Sequence, residues 1–312
     1  MQRPDLTLEG EDAQAEIAEA GRRTTSRRDL ARAPVFEQLS PRLGELDETA
    51  FEDALAADPD AALGLLADMA GATDPRLRAL ARRLAGRVAV RLGRRGPARQ
   101  RGIGRLRRIR LEPGGDLDVE GSLDALLTAA ASGQPPAVED LRGTAWARPA
   151  TALCLLVDRS GSVGGARLAA ASLAAAAVAL RAPDDYSVVA FSDRAIVVKS
   201  QDRPRPAAAV VDDLLQLRGH GLTDLAHALD TARAQLERSV APRRLTVLLS
   251  DGRPTSGPDP VPYARRLEEL VVVAPADDAV EARAFAAASG ARLSTVAGPS
   301  GIPRALEFLA EG

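Results

Sequence analysis

From residue 151 onward, unbroken apolar runs alternate with stretches in which apolar residues recur every three or four positions. The runs are TALCLLV (151–157), YSVVAF (186–191), AIVVKS (195–200), RLTVLLS (244–250), ELVVVA (269–274) and RLSTVA (292–297); the helical stretches are 166–181, 224–238, 262–269, 277–288 and 302–310. A strand that is apolar at every position is buried on both faces, and such strands alternate with helices in α/β folds. The pattern therefore predicts a doubly wound, mainly parallel sheet. Only Ser192-Asp193-Arg194 separates the second and third runs, which predicts one antiparallel hairpin at an edge of the sheet.

Upstream the period is different. Phe36, Leu39, Leu43 and Leu46 begin helical spacing, and Leu77, Leu80, Leu84 and Val88 continue it after breaks at Pro59 and Pro75, so residues 34–93 read as a small helical domain. Residues 1–33, polar and poor in large apolar groups, read as a flexible arm. Residues 94–149 read as a basic linker and an extension built from a strand at 105–112, a Pro113-Gly114-Gly115 turn, a short helix at 123–131 and an extended ribbon at 136–147. The sheet domain then occupies 150–312.

Composition narrows the function classes. The most apolar stretch, LAAASLAAAAVAL (168–180), is short, rich in alanine and flanked by arginines, which suits a buried helix and not a membrane span. Residues 1–20 are acidic without an apolar core, unlike a signal peptide. With the single Cys154 inside a strand, no disulfide framework is available; a cytoplasmic location is expected. Fourteen of the 41 basic residues, all arginine, fall between 75 and 111, where no Asp or Glu occurs. That segment reads either as a solvated helix face or as a dock for an acidic partner. No aromatic residue lies in it to stack on bases, so nucleic acid is the weaker candidate.

The chemistry sits at strand ends. Asp158-Arg159-Ser160-Gly161-Ser162 follows the first run and offers a carboxylate and two hydroxyls at alternate positions of a turn, a set suited to a hard divalent cation. Asp251 follows the 244–250 run, and Thr223, in Gly221-Leu222-Thr223-Asp224, opens a helix as either its N-cap or a further oxygen ligand. Converging carboxylates repel by about 4 kcal/mol per pair at 4 Å and an effective dielectric near 20, a conflict that a cation removes. Asp224 reads as a dipole partner in the first turn of its helix. His220 and His227 lack Cys or His neighbours at metal spacing and read as surface or packing residues. The only lysine, Lys199, is within a strand, so the chain has no Walker A loop.

DRSGS after a strand, a threonine in GLTDL before a helix, and LLSDGRPT after a later strand together resemble the metal-ion-dependent adhesion site of von Willebrand factor A (VWA) domains. The resemblance covers residues 150 onward, and it implies that Asp158, Ser160, Ser162, Thr223 and Asp251 hold Mg²⁺, with Mn²⁺ or Ca²⁺ as alternatives. It further implies that Asp251 acts through water and that a partner's Asp or Glu fills the open position. Leu222 stands where a glycine is frequent in that family. The order of elements over 105–146 resembles bacterial CoxE-like and chelatase-D-like proteins, whose partners are AAA+ ATPases of the MoxR or chelatase-I type. This implies a non-enzymatic adaptor or substrate-recognition subunit of a MoxR-type ATPase, in metal-centre or cofactor maturation. A metal-chelatase subunit, a metal-dependent hydrolase and a stand-alone scaffold are the alternatives. No general base is evident for a hydrolase.

Overall fold

The computed structural model describes residues 6–93, 105–110, 116–147, 151–159, 164–217, 219 and 221–307. Strand β1 (Thr7–Leu8) precedes helices α1 (Glu11–Ala20), α2 (Arg27–Leu30), α3 (Phe36–Leu39), α4 (Glu48–Ala57), α5 (Pro59–Met69) and α6 (Pro75–Gly93). Next come β2 (Arg105–Arg110), β3 (Asp116–Leu117), α7 (Leu123–Ser132) and β4 (Arg142–Ala147). The remainder is β5 (Thr151–Asp158), α8 (Gly165–Arg181), β6 (Tyr186–Phe191), β7 (Ala195–Lys199), α9 (Ala207–Gln216), α10 (Leu225–Leu236) and β8 (Arg243–Leu249), followed by α11 (Val261–Ala264), β9 (Glu269–Pro275), α12 (Val280–Ser289), β10 (Arg292–Val296) and α13 (Ile302–Ala305).

Two compact units result, one from Met1–Ala98 with Thr151–Leu309 and one from Arg99–Ala150 with Ala310–Gly312. The larger holds a seven-stranded sheet of order β1-β7-β6-β5-β8-β9-β10. Its pairs are parallel except β6 with β7. The expected hairpin is present, but β7 is not an edge. Two residues, Thr7 and Leu8, pair with Ala195 and Ile196 and cover it.

Alternation along the strands divides the core in two. Leu153, Leu155 and Val157 of β5 face one apolar cluster with Tyr186, Val188, Leu245, Val247, Val271 and the helices α5, α6, α8 and α9. Ala152, Cys154 and Leu156 face the other, with Val189, Phe191, Leu248, Val272 and the helices α10 and α12. In the second cluster Cys154 lies between Ser187 and Thr246 of the flanking strands. Burial pushes its thiol up to about 12, so it is inert as a nucleophile.

Helix α8 explains its own alanines. Residues 171–179 are all buried, because α8 lies between the sheet and a second helical layer. In that layer α5 approaches so closely that a Cβ on Gly165 would lie 2.0 Å from the Gly64 carbonyl oxygen, and a Cβ on Gly93 of α6 would lie 3.2 Å from the Ala177 amide nitrogen. Helices meeting backbone to backbone need small residues at the contact.

The described part of the 1–33 stretch differs from the expected arm: Ala13, Ile17, Ala20 and Leu30 are buried in the first cluster. Its amphipathic face is narrow, yet β1 and α1 pack on β7 and α9. Residues 34–93 likewise join the same unit as the sheet.

In the smaller unit β4 lies between β2 and β3 and pairs antiparallel with both, with Arg107 opposite Ala145 and Asp116 opposite Thr144. The ribbon expected to lead into the core is thus the central strand of its own sheet. The linker at 94–104 and the 113–115 turn lie outside the described residues.

Candidate metal centre

The order of the sheet reverses at β5, which sends one connection toward β6 and the chain later to β8 on its other side. Such a switch point leaves a crevice beyond the carboxyl ends of the strands. Asp158 ends β5 there, opposite Phe191 of β6. Asp251 follows β8, whose Leu249 pairs with Val157.

Hydrogen bonds fasten the three motif segments to one another. Ser250 Oγ donates to Asp158 Oδ2 at 2.7 Å and accepts from the Gly252 amide at 3.0 Å, which joins the ends of β5 and β8. The Arg159 amide donates to the Phe191 carbonyl, and the Asp224 amide donates to the carbonyl of Ser192 next to it, each at 2.8 Å. Thr255 and Ser256 donate their amides to the Thr223 carbonyl, while the Thr223 amide donates to Thr255 Oγ1 at 2.7 Å. Gly252, at φ 77°, lets the loop after β8 turn with its Cα against Ala282, where a Cβ would come within 2.7 Å.

Thr223 is 3% exposed, with its backbone amide and carbonyl both held by Thr255. It is not the helix cap. Asp224, at φ −97° and ψ 84°, caps α10 by accepting the His227 amide at 2.9 Å on Oδ1, one position ahead of the expected first-turn role. His227 packs, with Nε2 3.1 Å from Thr7 Oγ1. Asp158, Ser250 and Asp251 line a cavity of ≈ 70 Å³ together with Arg167. Ser160, Ser162 and His220 lie outside the described residues.

Arg159 sits beneath the rim at 3% exposure, its Nη2 3.7 Å from Glu16 of α1. Burial pushes its guanidinium pKa down, with Glu16 acting against that, and Nε and Nη1 have no hydrogen-bond partner among the described residues. Sequence reasoning missed Ser250, Thr255 and Ser192. The first two lie within LLSDGRPT, whose spelling does not disclose their bonding; Ser192 acts through its carbonyl and has no sequence signature.

Among the described residues no three His, Cys, Asp or Glu side chains form a metal cluster. The candidate donors are the Asp158 and Asp251 carboxylates lining the cavity and Thr223 at the start of α10, and the sequence adds the Ser160 and Ser162 hydroxyls just after Asp158. An oxygen-only set fits Mg²⁺, Mn²⁺ or Ca²⁺ and not a site for soft metals.

Residues 70–299 match the family model described as VWA domain containing CoxE-like protein. The chain belongs to that family. The match begins at the end of α5, so this CoxE-like region takes in α6 and the smaller unit as well as most of the sheet. No curated protein matches the chain. Among solved structures it is similar to a von Willebrand factor type A protein from Catenulispora acidiphila, at 16% identity and a TM-score of 0.43, covering 54% of this chain and 44% of that one. It is also similar to the vWF domain of the type V pili tip protein Mfa5 from Porphyromonas gingivalis, at 11% identity and a TM-score of 0.42, covering 52% of this chain and 94% of that one. The mostly parallel sheet with helices on both faces accords with membership of a VWA family. No described helix is long and apolar enough to cross a membrane.

Proposed function

We propose that the chain is a divalent-cation-dependent protein-interaction module, the adaptor or substrate-recognition subunit of a MoxR-type AAA+ ATPase that acts in metal-centre or cofactor maturation. The observation that carries this reading is the joining of the Asp158, Thr223 and Asp251 segments at the switch point of a CoxE-like VWA chain. Asp158, Ser160, Ser162 and Thr223 would hold Mg²⁺ directly and Asp251 through water. Bound there, the cation supplies a positive centre for an Asp or Glu carboxylate of the partner.

The residues of this chain do the positioning. Ser250 orients the Asp158 carboxylate, Thr255 and Ser256 hold the Thr223 backbone, and Arg167 adds positive charge beside the cavity. The chain turns over nothing itself in this reading; Lys199, buried in β7 with its ammonium on the Tyr186 and Ser200 carbonyls, offers no phosphate-binding lysine. The test mixes the purified chain with a MoxR-type ATPase encoded beside it. Complex formation and a changed ATPase rate in Mg²⁺, both lost in EDTA and in Asp158→Ala, are expected. A complex that is indifferent to EDTA and to the substitution contradicts the metal-dependent reading, and no complex contradicts the partner.

A further inference from the structure

Helix α6 carries six arginines and no acidic residue. Between it and α9 runs an open groove of ≈ 810 Å³ lined by Arg78, Arg82, Arg83, Arg87 and Arg91, against a single acid, Asp212. Three of these arginines are engaged within the chain. Arg82 donates to the Ala70 carbonyl at 3.0 Å and lies 3.8 Å from Asp212, while Arg87 and Arg91 pair with Glu48 and Glu52 of α4. Arg78 and Arg83 have no ion-pair partner among the described residues.

Between the charges the lining is small and apolar: Ala79, Gly86, Val90 and Ala208. Gly86 is the telling residue. Glycine inside a helix destabilises it relative to alanine. At Gly64 and Gly93 close packing on α8 accounts for the glycine, whereas a Cβ on Gly86 would meet nothing within 4 Å. No packing within the described chain explains its absence; it leaves a flat track where another backbone can approach.

We propose that this groove is a docking site for an acidic amphipathic helix of a partner protein. Its carboxylates meet Arg78 and Arg83, and its apolar stripe lies over Ala79, Gly86 and Val90, in the manner of a helix seated in a groove. The apolar floor distinguishes this occupant from a simple polyanion. A nucleic acid fits less well, because no aromatic side chain lines the groove to stack on bases. The site is separate from the metal centre and does not require it.

The test uses the full chain in EDTA with fluorescent probes of about 20 units: an amphipathic Glu/Leu/Ala helix, a permutation of the same residues without the stripe, and oligo-dT. Anisotropy titration is expected to give saturable binding of the amphipathic peptide, at least about tenfold tighter than the other two probes. Arg78→Glu with Arg83→Glu, and separately Gly86→Leu, should each weaken it by about tenfold or more without lowering the melting temperature, which Gly86→Leu should raise slightly. Equal binding of the permuted peptide reduces the site to general electrostatics, and tighter binding of oligo-dT assigns it to nucleic acid. Full affinity in Gly86→Leu removes the groove from the interaction. Any of these three overturns the proposal.

Discussion

On one face of the sheet the chain stacks two layers of helix, with α5 and α6 over α8; on the other, α10 and α12 lie directly on the strands, and α12 keeps its outer side in solvent. The difference is written into the helices. A helix enclosed all round is small and almost wholly apolar, as α8 is over 171–179, whereas one covered on a single side keeps an amphipathic stripe, as in Ala282, Phe285 and Ala286 of α12. The doubled face also carries the arginine groove. The proposed metal site belongs to neither face, since its residues follow the strand ends between them.

Paired core truncations break this comparison most strongly. Leu173→Ala on α8 and Leu229→Ala on α10 remove equally buried side chains and should each cost about 2–5 kcal/mol in chemical denaturation. Hydrogen exchange should separate them: the first is expected to speed exchange in α5 and α6, and the second to leave those helices protected. Identical exchange maps would show that the outer helical layer is not coupled to α8.

Glycines sharpen the contrast at smaller amplitude. Gly165→Ala places a methyl against the Gly64 carbonyl and should cost about 1–3 kcal/mol by forcing α5 away. Gly290→Ala, beyond α12, meets open space and should cost only about 1 kcal/mol, from its φ of 79° alone. Thermal melts of the two variants check the order.

The smallest effect lies at the β8–β9 end. Hydrogen bonds from Arg243 hold the Glu269 carboxyl below its ordinary range. A depressed carboxylate stabilises the fold fully above its unfolded pKa, about 4.3, and that stability is lost as pH falls through the folded value. Glu269→Gln, partly exposed, should therefore cost about 0.2–1 kcal/mol at pH 7 and progressively less below pH ~4 in denaturation curves.

The sheet was legible in the sequence because strands buried on both faces leave runs such as LCLLV and LVVVA that no solvated element imitates. The rim motif was legible because oxygen-bearing residues follow two of those runs. Three features were not. Strand β1 is two residues long and shows no period; α1 buries only Ala13, Ile17 and Ala20 among charges; and β4 is central because it pairs with two distant strands, a property of register and not of composition. Gly86 and Gly64 are the same letter in the sequence, and only what faces each one tells them apart.

The central claim is that the rim binds a divalent cation through this chain's own oxygens. Calorimetric titration of Mg²⁺ into the chain and into Asp158→Ala tests it most directly. The account predicts one saturable site in the native chain and none in a variant that still melts cooperatively. Absence of saturable binding in the native chain, or equal binding in both, would contradict it.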